Sequence, residues 1–217
     1  MRRGSWTVGS AIVLVAVWAV GQEKEEGFIS LFNGQDLSGW HVTGGPRDAA
    51  KAWSVKDGVI DCSGKPEGGW LRSDKAYRDF VLRLEYKIGP RKNSGVFLRA
   101  TQRGNPAYTG MEIQVFGDHP AAAPDRHSNG SVYGAIPPTS NPQKLDDWNE
   151  VEIELRGMHL KQSLNGIEIM DVRLDDPEWN KDLRKRREFT NRAPEGYIGM
   201  QNHGSPVQFR NIRIKPL

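Results

Sequence analysis

The sequence predicts an all-β protein, an antiparallel β-sandwich or jelly roll, on three observations. Residues 80–88 alternate: Phe80, Leu82, Leu84 and Tyr86 share one face, and Val81, Arg83, Glu85 and Lys87 fall largely on the other. That is the two-residue period of a half-buried strand. Similar short runs recur along the chain with turn signals between them. No stretch carries a sustained 3.6-residue period with caps, and 24 Gly and 13 Pro in 217 residues favour turns over long helices.

Taken in order, the first clear strand signal is Trp53-Ser54-Val55, followed by the turn pair Asp57-Gly58. The run at 80–88 comes next, then runs at 94–100 and 111–116, where apolar and polar or small residues again alternate. Residues 151–155, 160–164 and 167–172 read the same way. Asn165-Gly166 lies between the last two and is a strong hairpin signal, because both turn positions want positive φ. Residues 175–194 are polar and rich in charge (Lys181, Arg184, Lys185, Arg186, Arg187) and are expected to form a surface loop or short helix. Runs at 196–201 and 207–214 close the chain.

Composition narrows the function. Hydrophobic residues are 37% and charged residues 26%, as in an ordinary soluble domain. A single cysteine excludes an intrachain disulfide framework and a thiolate zinc cluster. Cys62 has no basic neighbour in sequence to activate it, so a small buried residue is expected there. The N-terminus reads as an address. Arg2 and Arg3 precede an apolar run from Ala11 to Val20, and Ala19-Val20-Gly21 offers small residues before Gln22. This is the layout of a secretory signal peptide at 1–21, too short for a comfortable membrane span. A short linker at 22–27 and one domain at 28–217 follow. The mature protein is expected to be secreted or periplasmic. Removing Arg2 and Arg3 from the 30 basic residues leaves 28 against 27 acidic, a balance that argues against nucleic acid or an anionic membrane surface as partner.

Alternate side chains on a strand share a face. Glu112 and Gln114 therefore point one way, and Met111, Ile113 and Val115 the other. Val96 and Leu98 look core-like, which leaves Gly95, Phe97 and Arg99 opposite them. Gln201 and His203 share a face if that strand runs far enough. Gly95, Gly110, Gly117, Gly199 and Gly204 would leave room for a ligand. Glu112, Gln114 and Asp118 fit the bulged spacing of retaining glucanases on jelly rolls, but the middle acid is an amide. Direct displacement, which needs two carboxyl groups roughly 5–5.5 Å apart, is thus poorly supported. Proton abstraction needs one base and a stabiliser for the anion. Glu112, His119 or His203 are candidates for the base and Arg99 for the stabiliser. Trp40, Trp53, Trp70 and Tyr133 suggest sugar contacts, with Trp70, after Gly68-Gly69, as an exposed platform. Asp36, Asp57, Asp61, Asp118 and Asp125 offer oxygen to a hard cation, but none sits in a calcium-loop motif.

Several segments together resemble one bacterial family. They are Leu31-Phe32-Asn33-Gly34-Gln35-Asp36-Leu37-Ser38-Gly39-Trp40, the run from Asn93 to Arg99, Gly110-Met111-Glu112-Ile113-Gln114-Val115, the Gly130-Ser131-Val132-Tyr133-Gly134 turn, Trp148-Asn149, Leu164-Asn165-Gly166, the run from Gly196 to Gly204, and the run from Val207 to Ile214. The chain from about Phe28 to Leu217 is similar to the 3-keto-disaccharide hydrolases, also described as 3-keto-glucoside 1,2-lyase and 3-keto-2-hydroxyglucal hydratase domains. The resemblance implies a concanavalin-A-like jelly-roll sandwich and an oxidised disaccharide or glucoside as substrate. It also implies cleavage by removal of the C2 proton, loss of the C1 oxygen and rehydration. On it, Glu112 is the expected C2 base, His203 the acid to the leaving oxygen, and Arg99 with Gln114 the holders of the 3-keto oxygen. Trp70, Tyr133, Gln201 and Asn93 are expected substrate contacts. Asp118 and His119 are second choices, as base or as ligands of a divalent cation; no cofactor is otherwise assigned. Asp125 and His127 fall in what reads as a variable loop. A non-catalytic carbohydrate-binding module, a direct glucanase and an inert envelope domain are the competing functions.

Overall fold

A computed structural model describes residues 26–119, 121–180 and 188–217. The expected signal segment and the basic run from Lys181 to Arg187 lie outside these described residues. The chain forms two antiparallel sheets. The larger runs in the order β11(Ile167–Arg173), β10(His159–Leu164), β9(Trp148–Arg156), β6(Phe80–Ile88), β13(Val207–Pro216), β4(Val59–Cys62), β3(Trp53–Lys56), with β1(Ile29–Ser30) paired to β13. The smaller runs β2(Trp40–Thr43), β5(Trp70–Tyr77), β12(Gly196–Gln201), β7(Asn93–Ala100), β8(Met111–Phe116). This is the expected jelly-roll sandwich. Among the described residues no helix is long and apolar enough to cross a membrane.

The sheets close because each strand puts one face of its alternation into a shared core. On β6, Phe80, Leu82, Leu84, Tyr86 and Ile88 are buried and the residues between them are half-buried. They pack with Ile153, Leu155, Phe209, Ile212 and Ile214 of the large sheet and with Leu71, Val96, Leu98, Met111, Ile113, Val115, Ile198 and Met200 of the small one. Asp57-Gly58 and Asn165-Gly166 both take positive φ (51° and 77°, 52° and 77°), as a two-residue hairpin turn demands. Cys62 is fully buried, and burial pushes its thiol up to about 11, which agrees with a packing role.

Of the expected surface segment at 175–194, the described parts are the one-turn helix α2(Pro177–Asn180) and a 3-10 turn at Phe189–Asn191. Phe189 is not on the surface; it inserts into the core. The long excursion between β8 and β9 is anchored through Tyr86, whose hydroxyl donates to Asn129 Oδ1 (3.1 Å) and accepts from Gln143 Nε2 (3.1 Å). Buried polar groups are tolerated when paired in this way.

Candidate active site on the small sheet

With one face of the small sheet committed to the core, its other face carries the polar residues. The register sets them in rows. Phe97 pairs with Glu112 on one side and Gly199 on the other, and Gly199 pairs with Arg72. In the next row Gln114 pairs with Gly95, and Gln201 pairs with Trp70. Asn93 pairs with Phe116 one step further along. Tyr133 lies beside Glu112, because Val132 bridges to Ile113 and the Tyr133 amide donates to the Glu112 carbonyl (2.9 Å). The register thus brings Glu112, Gln114, Gln201, Trp70 and Asn93 to one face, with Tyr133 on a segment that runs beside Glu112.

The glycines on this face seat side chains instead of leaving space for a ligand. A Cβ on Gly95 would lie 2.8 Å from Glu112 Cγ and collide with its carboxyl oxygen. A Cβ on Gly199 would strike the Trp70 ring. Glu112 therefore lies down across Gly95, only 4% exposed, and Trp70 lies across Gly199. With its amide turned to satisfy both ends, Gln114 donates to the Ser94 carbonyl (3.1 Å) and to Glu112 Oε1 (3.3 Å). Gln114 thus fixes the carboxylate, whereas the sequence suggested that it holds a substrate oxygen.

A cleft of about 390 Å³ opens at the Trp70–Gln201 end of this face, and Glu112 and Gln114 adjoin it across Phe97 and Gly95 without lining it. Trp70, Phe97, Gln201, Asn202 and His203 line it, with Glu67 and the loop ahead of α1(Pro106–Thr109) at its walls. Gln201 Oε1 is buried there without a hydrogen-bond partner. An orphaned acceptor of this kind costs free energy until something donates to it. His203 lies two residues beyond the end of β12, exposed on the rim. Asn202 holds the opposite wall: its Nδ2 donates to the carbonyls of Pro66 (2.7 Å) and Gly68 (3.2 Å).

Two expected site residues are corrected. Arg99 is not on this face. It has φ 51°, and a one-residue bulge there (Tyr197 pairs with Ala100, Gly199 with Phe97) breaks the alternation that grouped it with Gly95 and Phe97. Its guanidinium, 3% exposed, donates to the carbonyls of Arg78 (2.6 Å) and Gly157 (2.7 Å) and pairs with Asp79 (2.9 Å). Each of its three nitrogens makes one such bond. Trp70, expected as an exposed platform, is 4% exposed and meets Phe97 edge to face at 5.5 Å. It is a wall of the cleft, not a free ring.

The second choices are engaged elsewhere. Asp118 accepts from the Asn129 amide (2.5 Å), and burial raises its carboxyl above the ordinary aspartate range despite that bond. His119 accepts from the Ala121 amide (3.2 Å) through Nδ1. Asp125 accepts from the His127 amide (2.7 Å), the main reason its pKa is lowered, and the His127 ring sits edge-on to Tyr133 at 5.4 Å. Among the described residues no three His, Cys, Asp or Glu stand together as a metal site.

Sequence reasoning missed Arg72 and Glu67. Arg72 is buried on the same face, stacked 4.2 Å from the centre of the Tyr197 ring and donating to Thr43 Oγ1 (3.3 Å). It shares a face with Trp70, two residues before it, but all of Trp70–Ser73 is buried, so no alternation marked it. Glu67 sits in a loop without periodicity, where only Pro66 and Gly68-Gly69 around it hint at a turned segment.

Comparison with known proteins agrees with this fold. A 3-keto-disaccharide hydrolase of Bacteroides thetaiotaomicron is 29% identical, over 88% of this chain and 79% of that protein. A crystal structure of a Parabacteroides distasonis protein provisionally described as a glycosyl hydrolase superposes with TM-score 0.75 at 26% identity, covering 88% of this chain and 94% of that one. The carbohydrate-binding module CBM66 of Bacillus subtilis shares the fold alone (TM-score 0.54, 15% identity, 81% of this chain and 94% of that one). Residues 27–215 match the 3-keto-alpha-glucoside-1,2-lyase-like domain, and the chain belongs to that family.

Proposed function

We propose that the protein cleaves 3-keto-glycosides, disaccharides or simple glucosides oxidised at C3, by elimination followed by rehydration. The observation that carries this is the Glu112 carboxylate laid over Gly95 and steadied by Gln114, beside the orphaned amide of Gln201 in the cleft. A ketone at C3 acidifies the proton on C2. One well-placed carboxylate removes it, so the paired carboxylates of a direct glycosidase are unnecessary.

The chemistry then assigns roles. Glu112 takes the C2 proton. Negative charge spreads onto the C3 oxygen, and the C1–O bond breaks as C1=C2 forms. His203, at the solvent rim, protonates the departing oxygen. An α-hydroxy ketone presents a donor (the C2 hydroxyl) next to an acceptor (the C3 oxygen). A carboxamide matches that pair, so the Gln201 Oε1 accepts from the hydroxyl while its N–H groups donate to the developing enolate. Asn93 extends the donor set, Tyr133 borders Glu112, and Trp70 with Phe97 forms an apolar wall against a sugar face. Arg99 has no part in the scheme, and no step passes through a metal. The likeness of residues 1–21 to a secretory signal favours action in the periplasm or outside the cell.

Assay against a matched pair of substrates tests the proposal. The protein releases the aglycone from an aryl 3-keto-glucoside and leaves the unoxidised aryl glucoside intact. Hydrolysis of the unoxidised sugar at a comparable rate would point instead to direct displacement. Sugar binding without turnover of either compound would point to a binding module.

A further inference from the structure

Elimination followed by hydration moves protons twice, and Glu112 with His203 accounts for the first half alone. Hydration needs a base for the incoming water at C1, reached from the solvent side. Among the described residues that line the cleft, the one carboxylate is that of Glu67. Its loop is irregular but firmly seated. Asn202 fastens it through Pro66 and Gly68, and the Asn202 amide donates to the Gly69 carbonyl (3.2 Å). The backbones of Gly64 and Gly204 abut so closely that a Cβ on Gly64 would lie 2.6 Å from the Gly204 carbonyl carbon.

This seating brings the Glu67 carboxyl onto the turn that carries His203. A Cβ on Gly204 would lie 2.8 Å from Glu67 Oε2. Among the described residues no hydrogen bond or ion pair engages that carboxylate, although it is exposed and holding it against a backbone costs side-chain entropy. Glu112 and Glu67 thus stand in opposite surroundings: one buried on the small sheet, one exposed at the mouth against the turn that carries His203.

We propose that Glu67 is the general base of the hydration half-reaction and that it returns a proton to His203. The assignment rests on the function proposed above and deepens it. After elimination, Glu112 is protonated, His203 is neutral and the sugar is an enone. Water enters from the mouth, its oxygen bonds to C1, and Glu67 takes its proton. The C1=C2 electrons shift to the C3 oxygen and then to C2, which takes the proton held by Glu112. Glu67 passes its own proton to His203. Glu112 and Glu67 end as carboxylates and His203 as the acid. The sum is one water added across the glycosidic bond, with no change of oxidation state.

The two halves can be read separately in the full-length protein with an aryl 3-keto-glucoside: aryl alcohol release reports elimination, and the conjugated enone absorbs in the ultraviolet until it is hydrated. In Glu67→Gln, with enzyme in excess over substrate so that each site turns over once, aryl release is expected to stay within about threefold of the parent, because elimination uses only Glu112 and His203. Enone decay is expected to slow by about a hundredfold, the low end of what general-base catalysis contributes. Glu67→Asp should recover part of the decay rate, which a merely structural role would not require. Equal slowing of both phases in Glu67→Gln, or an unchanged decay, would overturn the assignment. A parent protein that releases no aryl alcohol at all would overturn the reaction itself, and this assignment with it.

Discussion

Glu112→Gln is expected to lower the rate of 3-keto-glucoside cleavage by about a thousandfold while leaving the sugar bound. A positioned base contributes about 10²–10⁴ in rate, and a thousandfold corresponds to about 4 kcal/mol of barrier. The substitution is nearly isosteric, so the amide still lies across Gly95 and the floor keeps its shape. Initial rates with saturating substrate, set beside calorimetric binding of the same sugar, separate the two effects. A loss of binding with turnover intact would mean that Glu112 only recognises the sugar. A variant within tenfold of the parent would move the base elsewhere.

Arg99→Ala is expected to destabilise the fold by about 3 kcal/mol, at the low end for removing one partner of a buried ion pair, because Asp79 is less buried than the guanidinium. The carbonyls of Arg78 and Gly157 lose their donor at the same time. For a domain of this size that lowers the melting temperature by roughly 10 °C. Turnover per folded molecule, measured well below the transition, should stay within about threefold. A thousandfold loss of turnover at unchanged stability would restore the residue to the catalytic role suggested by its sequence position.

These two residues show what the sequence made legible and what it hid. The alternation in β6 and β8 is clean because one face of each strand is sealed in the core, so the grouping of Glu112 with Gln114 follows from counting by two. Counting fails at Arg99 because a bulge inserts one residue, and a bulge is a property of the pairing, not of either strand alone. The same cause hid β5: Gly199 pairs with Arg72 but Tyr197 with Ala76, so extra residues interrupt the period, and its first four residues are all buried. Trp70 looked exposed because its sequence neighbours are glycines. The glycine that receives its ring, Gly199, comes from a distant strand. Glu67 had no local signal, since its position is fixed by Asn202 and Gly204 across the cleft. Family resemblance supplied what periodicity could not, namely the chemistry expected of Glu112.

The central claim is that the carbon beside the ketone is deprotonated within this cleft. Cleavage of a 3-keto-glucoside deuterated at C2 tests it. The account predicts that this sugar releases its aglycone severalfold more slowly than the protiated one, a primary isotope effect on removal of the C2 proton, and that a transient enone is seen in the ultraviolet. Equal rates for the two sugars with no enone formed would contradict it.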